Sequence, residues 1–137
     1  MPSDELTAQV LGLFVAVNRR YAQESEAAAT AHELTPLQAK ALLSSEQPVA
    51  MRRVAECLHA EPSNVTAIVD RLEARGLVER RPSPGDRRVK LVAATESGLS
   101  VIADLRARTP FVSHPLEALS VEQRETLREL LALMLEG

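Results

Sequence analysis

Glu61 to Thr95 reads EPSNVTAIVDRLEARGLVERRPSPGDRRVKLVAAT, and this stretch decides the fold. Val65, Ile68, Val69 and Leu72 recur at i, i+3, i+4 and i+7, the spacing of a buried helical stripe. A helix is therefore predicted over about Pro62–Arg75, with proline at its first position and Gly76 as a left-handed stop. Two short strands follow, Leu77–Arg81 and Arg87–Ala93, separated by the turn formers Pro82-Ser83-Pro84-Gly85-Asp86. A helix, a glycine stop and a hairpin with arginines near its tip make the outline of a winged helix.

The flanking sequence completes it. A short helix is expected over Ala50–Leu58, with Met51, Val54, Ala55 and Leu58 facing inward, and His59-Ala60-Glu61-Pro62 forms the turn into the next helix. Two short helices joined by a tight turn are a helix-turn-helix. Upstream, Thr35-Pro36-Leu37-Gln38 is a capping box that opens a helix with Leu37, Ala41 and Leu42 on one face. Residues 3–29 read as one long helix capped by Ser3 or Asp4, with Leu6, Val10, Leu13, Phe14, Val17 and Tyr21 at helical spacing. Downstream, Thr95 caps a helix over Glu96–Arg108 that stops before Pro110, and Pro115 breaks the chain again. Ser120-Val121-Glu122-Gln123 is a second capping box, opening a last helix with Leu127, Leu130, Leu131 and Met134 on one side.

The expected fold is mainly α with a small β-hairpin wing. A winged helix-turn-helix lobe occupies 34–95, and helices in 1–33 and 96–137 flank it. Those outer helices are apolar over more surface than so small a lobe can cover. A symmetric homodimer built from the two ends of the chain would bury it.

At 137 residues, 45% hydrophobic and 26% charged, the chain suits one domain with a real core and not a disordered segment. No apolar run approaches the roughly 20 residues of a membrane helix, and the acidic start MPSDELTAQV lacks a signal-peptide pattern, so a cytoplasmic location is expected. Cys57, the one cysteine, has no internal disulfide partner.

The net charge of −3 argues at first against nucleic acid, but its distribution does not. Arg71, Arg75, Arg80, Arg81, Arg87, Arg88 and Lys90 stand against Glu73, Glu79 and Asp86, so 71–90 carries 7 − 3 = +4. The segments on either side are acidic. A local field can steer a polyanion onto the middle of the chain.

The helix of 62–75 places Ser63, Asn64, Thr66, Ala67, Asp70 and Arg71 off its buried stripe. In a helix-turn-helix the second helix faces base edges, where Asn can bond adenine and Ser or Thr either base or phosphate. Arg87 and Arg88 at a hairpin tip suit the narrow, electronegative minor groove, and Asp86 beside them can orient a guanidinium. Arg52 and Arg53 open the preceding helix and are candidate phosphate contacts. Each of these has a plainer explanation as solvated charge or a helix cap. The basic wing directly downstream tips the balance toward DNA. Cys57 lies among apolar residues beside Glu56 and is expected to be an inert core or boundary residue. His32, His59 and His114 are scattered without metal-ligand spacing, and no phosphate loop, nucleophile elbow or metal helix is present, so no metal, cofactor or enzymatic role is expected.

The chain resembles the multiple-antibiotic-resistance regulator (MarR) family of winged-helix repressors. The matching pieces run in order: LTPLQ at 34–38, PSNVTAIVDRLEARGLVERR at 62–81, GDRR at 85–88, TESG at 95–98 and LSVEQ at 119–123. The resemblance implies a dimer on a palindromic operator, with Ser63, Asn64 and Thr66 in the major groove and the arginine of the Asp86/Arg88 pair in the minor groove. It also implies control by a small molecule or oxidant, through a pocket between the dimer helices and the DNA-binding lobe. Ala94 stands where the family often has leucine, and Ala67 where many members carry a larger polar or basic residue. No cysteine lies near the start of the first helix, where the peroxide-sensing branch keeps one. The expectation is a transcription regulator acting as a repressor. The alternatives are a winged helix used for protein docking and a metal-responsive regulator.

Overall fold

A computed structural model describes residues 2–137, with side chains from Asp4 onward. The order is α1 (Pro2–Ala31), α2 (Pro36–Ser44), β1 (Val49–Ala50), α3 (Met51–Leu58), α4 (Pro62–Ala74), β2 (Val78–Pro82), β3 (Lys90–Ala94), α5 (Glu96–Arg108), α6 (Pro110–Ser113) and α7 (Val121–Glu136). This is a mainly helical chain carrying a winged helix-turn-helix. Among the described residues no helix is long and apolar enough to cross a membrane.

Local chemistry sets most boundaries. Thr35 and Ser120 both form the complete reciprocal capping box, the hydroxyl accepting from the N3 amide and the N3 glutamine accepting from the cap amide. Thr95 caps α5, accepting from the Gly98 amide at 3.1 Å, and its hydroxyl donates to Gly76 O at 2.5 Å. Gly76 takes the left-handed conformation, φ 74°. His59 has the same hand at φ 51°, and there Ala60 N closes onto Ala55 O at 3.2 Å. That compact stop is the turn of the helix-turn-helix.

The core lies inside the lobe. Leu42, Val54, Val65, Val69, Leu72, Val78, Val92 and Ile102 are all under 2% or at 2% exposure, contributed by α2, α3, α4, the sheet and α5. Ala28 and Ala29 seat the end of α1 against it. The hairpin is antiparallel, with Val78 opposite Ala94 and Arg80 opposite Val92. Gly98 permits the closest approach. A Cβ there would stand 2.0 Å from the Leu77 carbonyl oxygen, so only glycine lets α5 leave β3 at this angle.

Several expectations are corrected. The sheet has three strands, because Val49–Ala50 pairs with Val92 and Leu91 on the far side of β3. A two-residue strand is too short to leave a pattern, and its partner is some 40 positions away. The hairpin strands begin later than predicted, so Arg87 and Arg88 lie in the loop and not in a strand. The helix α6 follows Pro110, which starts it as an N1 proline instead of only ending α5. Helix α1 starts at Pro2, so Asp4 sits inside the first turn and is no cap, and the Ser3 side chain lies outside the described residues. Leu37 is 46% exposed, because α2 buries Ala39, Ala41 and Leu42 instead.

Of the outer helices, α5 packs into the core through Ile102 and Leu105, while α7 and most of α1 are bare. Leu6, Val10, Leu13, Phe14 and Val17 on α1 are exposed, as are Leu130, Met134 and Leu135 on α7. No residue of α7 is buried, and the helix makes at most glancing contact with the rest of the chain.

Candidate nucleic-acid interface

Helix α4 is the centre of the site. Its buried stripe is Val65, Val69 and Leu72, with Ile68 at the margin. At about 100° per residue, Ser63, Ala67, Asp70 and Ala74 lie opposite that stripe. Thr66 and Glu73 flank them on one side, Asn64 and Arg71 on the other. All six expected recognition residues are exposed. They occupy three adjoining sectors of the helix and not one uniform face.

Two of the six are already engaged. The Thr66 hydroxyl donates to Pro62 O at 3.1 Å. Asp70 accepts from Arg80 Nη2 at 2.6 Å, while Arg80 Nη1 bonds Glu73 at 2.5 Å. Arg80 comes from β2, opposite Val92, so it ties the wing to the recognition helix. The hydrogen bond it donates to Asp70, and then the charges of both carboxylates, hold its guanidinium above its ordinary pKa in spite of partial burial.

The wing loop spans 83–89 and is built on its own hydrogen bonds. Ser83 N donates to Val89 O at 2.8 Å, and Val89 N to Asp86 O at 3.0 Å. The Asp86 carboxylate accepts the Arg88 backbone amide at 3.0 Å, while the Arg88 guanidinium stays 3.9 Å away. Asp86 therefore shapes the loop and does not clamp the guanidinium, because that separation is too long for a hydrogen bond. The Arg88 side chain is 95% exposed, and Arg87 is exposed beside it.

The basic segment is less free than its composition implies. Arg75 donates to the carbonyls of His32 and Glu33 at 2.9 and 3.1 Å, holding Glu33 in a left-handed turn at φ 56°. Arg81 bonds Glu79 at 2.6 Å. With Arg80 also engaged, Arg71, Arg87, Arg88 and Lys90 are left facing outward. Arg52 and Arg53 lie exposed on the first turn of α3, and Arg53 reaches Glu56 at 3.3 Å. The roles of Arg75 and Arg80 escaped sequence reasoning, since carbonyls 42 and 43 positions away leave no local trace.

Cys57 is exposed, not a core or boundary residue, because α3 turns Val54 and Leu58 inward and leaves the thiol outside that stripe. Among the described residues no group of three His, Cys, Asp or Glu could hold a metal ion. His32 Nε2 instead meets Asp104 at 2.6 Å, joining the end of α1 to α5. Asp104 also accepts from Arg108 at 2.7 Å; that bond first, and then His32, holds its carboxyl below the usual range.

Behind the lobe, α1, α2, α5 and α6 wall an open, mainly apolar groove of about 320 Å³ lined by Tyr21, Leu37, Leu43, Leu105 and Val112, with Lys40 and Glu26 as its charged members. Arg20 stacks on Phe111, 4.2 Å from the ring centre, and Glu24 accepts the Val112 amide at 2.9 Å, so α6 is fastened to α1 along one wall.

Comparison with known proteins bears on this geometry. Residues 32–89 match the MarR family. An HTH-type transcriptional regulator of Mycobacterium bovis is 32% identical over 103 residues, 74% of this chain and 72% of its own length. The HTH-type transcriptional repressor NicR of Pseudomonas putida is 31% identical over 100 residues, 72% of this chain and 63% of its own. Across the matched relatives the alignments span from 59% to 91% of the relative's length. The crystal structure of CouR from Rhodococcus jostii, bound to p-coumaroyl-CoA, superposes with a TM-score of 0.74 at 29% identity over 92% of this chain and 91% of CouR.

Proposed function

The chain belongs to the MarR family of transcriptional regulators, and from that premise we propose that it is a dimeric, sequence-specific DNA-binding repressor acting in the cytoplasm on a palindromic operator. One observation carries the proposal. Helix α4 turns an exposed, small and polar surface outward, next to a hydrogen-bonded loop that projects Arg87 and Arg88 into solvent. Each protomer inserts α4 into a major groove through Ser63, Asn64, Thr66, Ala67, Asp70 and Arg71, and its wing residues Asp86, Arg87 and Arg88 reach the flanking minor groove. Arg52 and Arg53 meet phosphate. The helices of 1–33 and 96–137 form the dimer, which sets the half-sites about one helical turn apart.

Release comes from a small molecule in the groove behind the lobe. The ligand-bound state of CouR supports this, as do the groove's size and apolar lining. Its occupant shifts the dimer between lobe spacings that do and do not fit the operator.

The test is selection from a random duplex library at about 100–150 mM salt, with affinity then followed against salt. A palindromic site with a steep salt slope is the expected outcome. Three of the seven cations in 71–90 are held by intramolecular bonds, which favours a protein-docking winged helix as the second reading. No enriched site and a flat salt response would favour it.

A further inference from the structure

We infer that Ala67 is a specificity-determining residue that reads the 5-methyl group of a thymine in each half-site. The inference rests on the proposal that α4 lies in the major groove. Ala67 stands at the middle of the outward face, opposite Val65, Val69 and Leu72, and is exposed. Of its neighbours, the exposed Ser63 one turn before and Arg71 one turn after can still donate, whereas Thr66 and Asp70 are already engaged. Thr66 donates its only hydroxyl proton back to Pro62 O. The Asp70 carboxylate is taken up by Arg80 at 2.6 Å. Ala74, one turn beyond, is apolar as well.

Asn64, the side chain suited to adenine, lies on the flank shared with Arg71 and not at the centre. At the middle of the outward face Ala67 therefore presents only a methyl group, beside an aspartate already bonded to Arg80. A methyl makes no hydrogen bond, and of the four bases only thymine displays an apolar group in the major groove. Contact between the two methyls removes both from water. A larger polar residue at this position would read hydrogen-bonding edges instead, so alanine changes the kind of base selected and does not merely thin the readout.

The experiment uses the full chain and the duplex it selects. Each thymine is replaced in turn by deoxyuridine, symmetrically in both half-sites, which deletes only the 5-methyl group. In the wild type, uridine at one position should cost about fourfold in affinity per half-site. In Ala67→Gly the thymine-to-uridine ratio at that position should fall to one. The ratio is taken within each protein, so loss of helix stability in the glycine variant cancels. Ala67→Ser, which retains side-chain bulk, should also lose thymine preference. A flat uridine scan on a duplex that the wild type binds tightly would overturn the inference while leaving the DNA-binding proposal intact. So would a uridine cost that persists unchanged in both variants. Failure to enrich any duplex would overturn the DNA-binding proposal and the inference together.

Discussion

At the scale of single residues, Thr95 and Gly98 fasten the wing to the helix behind it. Thr95 bonds Gly76 and caps α5, and Gly98 lets the Leu77 carbonyl approach where no side chain fits. Gly98→Ala is expected to destabilise the fold by about 1–3 kcal/mol through overpacking against backbone, read as a lower midpoint in denaturant unfolding. An unchanged midpoint would mean that α5 can shift at no cost. Arg88→Ala should leave the fold untouched, because the side chain meets almost nothing, and should weaken binding at all DNA sequences by about 1–3 kcal/mol. Equal affinity and salt slope in the variant would remove Arg88 from the interface. Asp104 gives a pH-dependent term. Its carboxyl is held below the ordinary value by Arg108 and His32, so the stability it contributes is present above about pH 4 and disappears as pH falls through its folded-state pKa. The stability gap between the wild type and Asp104→Asn should therefore close on acidification below about pH 4. A gap that persists to about pH 2 would place the stabilisation elsewhere.

At the scale of elements, the hairpin and the recognition helix behave as one unit because Arg80 bridges them. A double-mutant cycle of Arg80→Met and Asp70→Asn should give a coupling of about 1 kcal/mol in thermal unfolding. It is kept that small because Asp70 is 60% exposed and its pair is screened by solvent. Additive effects would show that the pair joins nothing. Such cross-element links were the part hidden in the sequence. The caps at Thr35 and Ser120 were legible because a capping box is written in four adjacent residues, and the stripe of α4 was legible because its period is local. Strand β1 was not, since two residues hold no period and its pairing with Val92 is set by the chain's path through space. The six residues expected on α4 were found exposed, yet their division into sectors, and the engagement of Thr66 and Asp70, depend on partners that composition does not name. The exposure of Cys57 was misjudged because the thiol sits on the flank of the buried stripe, beyond its edge, although its neighbours in sequence face inward.

At the scale of the whole molecule, apolar surface is distributed in a way that one chain cannot satisfy. The first two-thirds of α1 and all of α7 carry leucines, valines and a methionine facing outward. In the proposed dimer these faces cover one another, and contiguous apolar area of this kind marks an interface. Leu131→Glu, on a half-exposed position of α7, should shift the protein toward the monomer in sedimentation velocity and reduce operator affinity on the order of tenfold or more, because the two half-sites are no longer held by one particle. A variant that stays the same size as the wild type would place the interface away from α7.

Helix α7 has a bearing on how the cell sets the dose of such a regulator. A helix of 16 residues with nothing buried is marginal by itself in water. In the proposed dimer a second copy would supply the burial that this helix lacks. Newly made chains at low copy number would carry a frayed, sticky tail open to proteases, whereas chains above the association threshold would be protected by mass action. In the proposed dimer, chains too scarce to pair would therefore be lost first and abundant ones spared.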